Sequence, residues 1–251
     1  MALTDQLVAY YKLESGALTT DTVGGFTLTN NNTVGTGTGF IGTGSADFGT
    51  TNTNKYLNVA NDLGTDGGSI SMSFWVKLQT EISTGTDCFI IHGGATSHVN
   101  DMVGYDYNGG TRRVAWNRQQ QNTANNVYYH TATLGTSNWH HLVYTYDGTT
   151  MKGYYDGTEV VSQNLSGNGA SGTGDGFGIG GSNRGGGPEW FGYSSCYTDE
   201  VGVWTRALTG NEVLNLYKGG IGNAYPFSST ENTFKVRKEV RPALFKPGNS
   251  K

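Results

Sequence analysis

The sequence predicts an all-β protein: a two-sheet antiparallel jelly-roll sandwich with one short C-terminal helix and an extended C-terminal arm. Glycine accounts for 40 of the 251 residues, Tyr for 15 and Phe for 10, and only 14% of the residues are charged. Thr, Tyr and Phe favour half-buried strands, whereas Gly and Asn favour turns. Many short runs of the first kind are separated by stretches of the second, and only one segment has helical signals. This combination is typical of a jelly roll.

Hydrophobic residues alternate along the best-defined strands, which indicates strands with one buried face. Ile70, Met72, Phe74 and Val76 share one side of the strand predicted over 69–77. The alternation therefore assigns these four side chains to the core. The other predicted strands lie at 7–13, 26–29, 46–48, 56–59, 89–92, 102–105, 113–116, 127–129, 142–146, 151–155, 158–162, 177–180 and 197–204.

Local signals specify one hairpin and one helix. Asp156 and Gly157 separate two strand-like runs, and this dipeptide is a strong hairpin signal. Thr209 can cap a helix, and Glu212, three residues later, completes a capping box. The glycine pair at 219–220 ends that helix. We therefore expect the single helix between these points.

Three motifs occur in order in the second half of the chain. They are a Trp-His-His strand ending in Tyr-Asp-Gly at 138–148, a Tyr-Tyr-Asp-Gly hairpin at 153–157 and an Asp-Glu strand leading into the helix at 199–213. Together they resemble the C-terminal half of a laminin-G-like domain of the concanavalin A-like lectin/glucanase superfamily. The resemblance implies one sandwich over residues 1–224, followed by an arm over 225–251. This fold carries lectins, adhesins, glycosidases and structural modules, so function stays open.

Charge is distributed unevenly along the chain. The net charge is −4, but residues 225–251 carry six basic and two acidic side chains, a net charge of +4, so the preceding residues carry −8. An acidic body argues against nucleic acid as a partner.

The basic arm has apolar side chains placed between its charges. An extended segment with alternate apolar residues is suited to adding a strand to the sheet edge of a neighbour. We therefore predict that the arm binds other protein subunits, with docking on its own domain as the alternative. The residues assigned to this role are Phe234, Val236, Arg237, Arg241, Leu244 and Phe245.

The N-terminal residues lack the pattern of an export signal. Residues 1–6 have no basic stretch followed by an apolar run. No segment is long and apolar enough to predict membrane insertion. We expect a protein of a virion or extracellular surface that is made in the cytoplasm without a signal peptide, or one whose leader was trimmed.

The two cysteines do not form a recognisable framework. Cys88 and Cys196 are far apart, and neither lies in a metal-binding spacing. They are either a disulfide or two reduced, buried thiols.

The sequence predicts that the protein is not an enzyme. Glucanases of this fold use a Glu-x-Asp-x-x-Glu strand, which is missing here. The nearest acidic pair, Asp199 and Glu200, is expected on opposite faces of a strand because side chains alternate. His140 and His141 lie in the Trp139 strand, where one is expected to be buried and hydrogen-bonded. No Gly-x-Ser-x-Gly elbow is present.

The resemblance also implies a Ca²⁺ site at the sandwich rim. Such sites use Asp side chains and backbone carbonyls, the oxygen ligands that Ca²⁺ prefers. Asp21 and Asp199 match the family positions. The alternative is that Asp21 only caps its own turn.

Two loops combine aromatic, amide and charged side chains, the mixture that sugar sites use. They cover 116–126 and 183–193, and Trp116 and Trp190 are candidate stacking platforms. The alternative is that both indoles pack in the core or against loops. The candidate glycan-binding residues are Trp116, Gln120, Asn122, Arg184, Trp190 and Tyr193.

Two functions therefore remain as hypotheses. The first is a structural surface protein, such as a phage decoration or adhesion protein, whose lectin-like sandwich is anchored by its arm. The second is a soluble carbohydrate-binding module, with or without calcium, whose partner is a glycan or cell-surface polysaccharide.

Overall fold

The computed structural model describes residues 1–50, 54–61, 63–65, 68–93, 101–119, 125–165, 176–181 and 192–228. These ranges form a two-sheet sandwich of sixteen strands with one α-helix near the C-terminal end, which confirms the predicted jelly roll. The elements are β1 Leu7–Tyr11, β2 Thr29–Asn31, β3 Gly35–Gly37, β4 Ser45–Asp47, β5 Tyr56–Val59, β6 Ile70–Leu78, β7 Gly85–His92, β8 Asp101–Asn108, β9 Thr111–Gln119, β10 Asn125–Thr131, β11 His140–Tyr146, β12 Thr150–Tyr155, β13 Thr158–Asn164, β14 Phe177–Ile179, β15 Gly192–Tyr193, β16 Cys196–Trp204 and α1 Gly210–Tyr217.

The strands form two sheets of eight. Sheet 1 has the order β13-β12-β11-β6-β16-β4-β3, with β1 also paired to β16. Sheet 2 has the order β10-β9-β8-β7-β14-β5-β2, with β15 also paired to β7. All pairs are antiparallel except the two-residue β15, which runs parallel to β7. The predicted strands are present, although the run at 26–29 is displaced to β2, and neither β3 nor β15 was predicted.

The core lies between the two sheets. Met72, Phe74 and Val76 are fully buried and point inward from β6, as their alternation predicts. Phe89 and Tyr105 face them from sheet 2. Because successive side chains point to opposite faces, this arrangement also identifies the residues on each sheet's outward side.

The helix covers part of the outward side of sheet 1. Its capping box forms as predicted: Thr209 accepts a hydrogen bond from the Glu212 N–H, and Glu212 accepts one from the Thr209 N–H at 2.8 Å. Glu212 also binds the Arg206 guanidinium at 2.6 Å. The helix ends at Lys218, whose φ of 49° is left-handed, one residue before the predicted glycine pair.

The two cysteines are buried thiols in different clusters. Cys196 belongs to the main core, whereas Cys88 lies on the outward side of sheet 2 with Ile91 and Met102. Both side chains are reduced thiols and are not joined in a disulfide. This is one of the two states that the sequence left open. Burial raises the pKa of Cys196 to about 12, so this thiol is a poor nucleophile.

Candidate functional site

Trp116 is not a stacking platform, which corrects one expectation from the sequence. Its side chain is fully buried between the sheets, and its Nε1–H donates to the Val143 carbonyl at 3.0 Å. The indole lies against Gly153, where an added Cβ would be 2.6 Å from a ring carbon. The ring therefore has a core role, the alternative that the sequence left open.

The remaining predicted glycan residues belong to two segments attached to sheet 2. Residues 120–124 join β9 to β10, and 182–191 lead into β15, where Tyr193 pairs with Cys88 of β7. Gln120, Asn122, Arg184 and Trp190 themselves lie outside the described residues. Both segments thus connect to the same sheet, although 58 residues lie between Arg118 and Phe177 along the chain.

The outward side of sheet 2 carries a buried amide that the sequence analysis missed. Asn117 is fully buried, and among the described residues neither its Nδ2 nor its Oδ1 has a hydrogen-bond partner. It lies beside Met102 of β8 and Val127 of β10. An unpaired buried amide costs about 1–3 kcal/mol. The inward alternation of Val114 and Trp116 was the available signal, because it places Asn117 on the outward side.

Small residues lie next to this amide. Gly104 and Ala115 are cross-strand partners on the outward side, one step along the sheet from Asn117. A Cβ on Gly104 would be 2.4 Å from the Asp87 carbonyl oxygen, so a larger residue is excluded there. These small residues form a floor that is itself buried, because Gly104, Ala115 and Asn117 have almost no exposed area.

A charged and aromatic row borders that floor. Arg113 Nε donates to Asp106 at 3.0 Å, and Thr86 Oγ1 donates to the same carboxylate at 2.7 Å. The Arg113 guanidinium lies 3.8 Å from the centre of the Tyr129 ring. Tyr129 is 42% exposed, which makes it the accessible aromatic of this face. We refer to Met102, Gly104, Asp106, Arg113, Ala115, Asn117 and Tyr129 as the sheet 2 face.

The predicted calcium residues are occupied by backbone donors. Asp21 Oδ1 accepts the N–H groups of Tyr10 and Val23 at 2.9 Å, and its Oδ2 accepts those of Gly24 and Phe26 at 3.0 Å. N–H dipoles directed at both oxygens stabilise an anion but repel a cation. Asp21 therefore caps its turn, the alternative that the sequence left open, and does not fit a Ca²⁺ ligand.

Asp199 is engaged in the same way. Its Oδ2 accepts the N–H groups of Phe40 at 2.8 Å and Ile41 at 3.1 Å. Within the described ranges, no group of three or more His, Cys, Asp or Glu side chains could hold a metal ion.

Asp199 and Glu200 share one side of the sheet, which corrects the expectation that they point to opposite faces. Pairing with β6 shifts register between Asp199 and Gly202, and Glu200 has a left-handed φ of 51°. This bulge directs both carboxyls to the outward side of sheet 1, where Glu200 accepts the Tyr10 hydroxyl at 2.5 Å. Burial raises the pKa of Asp199 to about 8, reinforced by the Glu200 charge, and burial raises that of Glu200 to about 7.

The histidines of the Trp139 strand are structural, as expected. His141 is buried, and its Nε2 lies 2.8 Å from Ser73 Oγ. Burial lowers its pKa to about 3, so the ring is neutral at physiological pH. His140 lies 2.9 Å from both Asp156 Oδ2 and the Leu134 carbonyl oxygen. Thr65 Oγ1 lies 2.6 Å from His92 Nε2, and both side chains are buried.

Sequence and fold comparisons identify one family and several similar structures. A sequence model of the laminin-G type within the concanavalin A-like lectin/glucanase superfamily matches residues 50–214. A comparison with curated protein sequences finds no match. No helix in the described part of the chain is long and apolar enough to cross a membrane.

Two similar structures illustrate the fold. Domain 4 of AbnA, a GH43 extracellular arabinanase from Geobacillus stearothermophilus solved with arabinotriose, is 20% identical with a TM-score of 0.62; 87% of this chain and 98% of that domain align. The binding domain of botulinum neurotoxin DC, solved with rat synaptotagmin II, is 11% identical with a TM-score of 0.66. There the match covers 86% of this chain but 52% of the toxin domain, so this chain spans about half its length.

Proposed function

Because the chain belongs to the concanavalin A-like lectin/glucanase superfamily, we propose that it is a non-catalytic carbohydrate-binding module that binds through the sheet 2 face. The observation that carries this proposal is the unpaired, fully buried amide of Asn117 on the outward side of the sheet. A carboxamide offers a donor and an acceptor together, which matches two neighbouring sugar hydroxyls. Because the Asn117 side chain has no solvent-exposed area, a sugar can satisfy both groups only after the residues that cover the amide move.

The rest of the sheet 2 face supplies the other chemistry that a sugar needs. The Tyr129 ring is exposed for contact with an apolar sugar face. The Asp106–Arg113 pair adds charged hydrogen-bonding groups. We propose that Gln120, Asn122, Arg184, Trp190 and Tyr193 contribute from the two attached segments.

The similar structures support a binding role. The AbnA domain, aligned over nearly its whole length, was solved with arabinotriose, and a botulinum neurotoxin DC binding domain was solved with SialylT. The engagement of Asp199 and Glu200 in structural hydrogen bonds supports a module without catalysis.

A glycan array with the full-length protein tests this proposal. We expect selective glycan binding that Asn117→Leu and Tyr129→Ala reduce by about tenfold or more, since each removes a direct contact. Tyr129→Phe keeps the ring, and Lys152→Ala on sheet 1 is a matched surface control; both should retain binding. An array with no bound glycan, or binding that neither sheet 2 variant changes, would contradict the proposal.

Calcium dependence is decided by repeating the array in EDTA. Because the Asp21 oxygens are saturated by N–H donors, we expect binding to persist in EDTA. Binding lost in EDTA and restored by Ca²⁺ would establish a calcium site on other residues.

A second proposed function is assembly at a virion or other extracellular surface through the arm. The root of the arm packs on its own sandwich: Tyr225 and Phe227 each lie 5.6 Å from the Tyr10 ring. Phe227 and Ser228 line a groove between residues 1–4 and α1. The arm is thereby held at one end of the sandwich before its basic segment begins.

Native mass spectrometry of the full-length chain at low salt tests the assembly function. We expect an oligomer that dissociates when Phe234, Val236, Leu244 and Phe245 are changed together to Asp. The same four positions changed to Leu are the matched control and should keep it. A monomer at every concentration, or an oligomer indifferent to the Asp substitutions, would contradict an assembly role. The residues concerned lie outside the described ranges.

A further inference from the structure

We propose that the outward side of sheet 1 carries a second binding site, which takes an anionic sugar, carboxylated or sulfated. The site consists of Lys77, Phe40, Trp139 and Tyr197. It lies on the opposite sheet from Asn117 and shares no residue with the sheet 2 face. The two proposals are therefore independent, and either can fail alone.

The Lys77 ammonium group lies near two aromatic rings, at similar distances from both. Its Nζ is 5.9 Å from the centre of the Trp139 ring and 5.6 Å from that of Tyr197. The two ring centres are 6.4 Å apart and tilted by 44°. Phe40 extends this surface, 5.9 Å from Trp139. All four side chains are partly exposed, so a ligand can reach the ammonium group and the rings together.

The aromatic rings are held in place before any ligand binds. Phe40 stacks on Trp75 with ring centres 3.8 Å apart, and Asp199 accepts the Phe40 N–H at 2.8 Å. Tyr197 lies over Gly37, where a Cβ would be 2.3 Å from a ring carbon. Preorganised rings lose little entropy on binding.

The Lys77 ammonium has no acidic partner in the described part of the chain. The acid beside Tyr197 on the neighbouring strand is Asp47, whose Oδ1 accepts Gln79 Nε2 at 2.6 Å and the Gly49 N–H at 2.8 Å. A cation without a carboxylate on an otherwise acidic protein is suited to an incoming anion.

This combination selects the chemistry of the ligand. The rings contact the apolar face of a sugar, and the ammonium group pairs with a carboxylate or sulfate as a compact point charge. A neutral sugar would gain only the ring contacts. Because the charge pair is exposed to solvent, its contribution should weaken with salt.

Isothermal titration calorimetry with the full-length chain tests the site. The probes are tetragalacturonate, its fully methyl-esterified form as the neutral match, and a sulfated chondroitin tetrasaccharide. We expect at least one anionic probe to bind about tenfold more tightly than the neutral ester, through a charge-assisted contact. The carboxylated and sulfated probes together distinguish the two sources of negative charge.

The variants separate the roles of the residues. Lys77→Gln should remove the preference for the anionic probe, and Trp139→Ala should weaken every probe that binds. Lys152→Gln on the same sheet, which removes a lysine already paired with Glu159 at 2.9 Å, should change nothing. The proposal is overturned if neither anionic probe binds, if the ester binds equally well, or if Lys77→Gln leaves the preference intact. Because Lys77 is partly exposed, we expect Lys77→Gln to fold. The Lys77→Gln result therefore decides the test even if Trp139→Ala fails to fold.

Discussion

Two neighbouring residues of β9 show what separates a structural polar group from a candidate binding group. Asn117 and Arg118 are both fully buried, and they point to opposite sides of sheet 2. Arg118 points into the sandwich and donates to Asp101 at 2.6 Å, with its guanidinium 3.6 Å from the centre of the Tyr146 ring. Asn117 points outward, and its amide has no hydrogen-bond partner within the described ranges.

The electrostatics of the inward pair explain its structural role. Burial raises the pKa of Asp101, but the Arg118 charge, His92 and the Tyr144 hydrogen bond together outweigh this effect, and the net pKa is lowered. The Asp101 charge raises the pKa of Arg118 in turn. Tyr144 donates to the same carboxylate. The pair is therefore ionised and bound within the protein, whereas the Asn117 amide is unsatisfied until something else binds it.

The largest expected effect comes from breaking the inward pair. Asp101→Ala leaves the Arg118 charge buried without its carboxylate, which should lower the free energy of unfolding by about 3–5 kcal/mol. Urea denaturation measures this change. Glu159→Ala, which breaks the exposed pair with Lys152, should cost less than about 1 kcal/mol. Similar losses of unfolding free energy in the two variants would show that burial does not increase the contribution of the Asp101–Arg118 pair to stability.

An intermediate effect is expected at the buried carboxyls of sheet 1. The pKa of Glu200 is raised to about 7 in the folded protein, so stability is full at acid pH and falls as pH rises from about 4.5 through 7. Glu200→Gln cannot titrate and can still accept the Tyr10 hydroxyl. Its loss of unfolding free energy between pH 5 and pH 8 should be smaller than that of the parent protein by on the order of 2 kcal/mol.

Urea denaturation at both pH values measures the difference, with Glu159→Gln as the exposed control. An unchanged pH dependence in Glu200→Gln would mean that this carboxyl is not the titrating group.

A smaller and opposite effect on stability is expected at Asn117. Asn117→Leu removes an unsatisfied amide while keeping the same branched skeleton of side-chain heavy atoms, so the free energy of unfolding should stay the same or rise by about 1 kcal/mol. Thermal denaturation alongside glycan binding measures both properties. A loss of stability comparable with that of Asp101→Ala would show that the amide has a structural partner and would remove the basis of the sheet 2 site.

The smallest effect is expected at the rim. Tyr129→Ala removes the ring that the Arg113 guanidinium contacts, which should cost about 0.5–1 kcal/mol of stability. The same urea titration measures it, with Tyr129→Phe expected to match the parent. A much larger loss would assign Tyr129 to packing instead of ligand contact.

Much of the fold could be predicted because the local sequence signals favour the same strands, turn and helix that the tertiary structure contains. The alternation of Ile70 to Val76 places one face of β6 in the core, and Asp156–Gly157 turns between β12 and β13. Thr209 and Glu212 cap the helix because their side chains reach only three residues along the chain. None of these features needs a distant partner.

The site residues were harder to predict because their roles depend on distant segments. Trp116 is the kind of aromatic residue that lectins use to stack on sugars, but its contacts with Val143 and Gly153 place it in the core. Asp21 matches a calcium position, yet four backbone N–H groups take its oxygens. The bulge at Glu200 overrides simple alternation because one left-handed residue reverses which face the next side chain uses.

The sequence by itself determined the all-β class, the family, the late capped helix and the charge separation between body and arm. These follow from composition, short-range periodicity and motif order, which act over a few residues. Only the tertiary structure decided that the Asn117 amide has no hydrogen-bond partner in the described part of the chain while Arg118 is paired, and that the Lys77 ammonium group lies near both Trp139 and Tyr197. Hydrogen-bond satisfaction and ring contacts depend on strands that meet across the sheet, and no local pattern specifies which atoms those strands bring together.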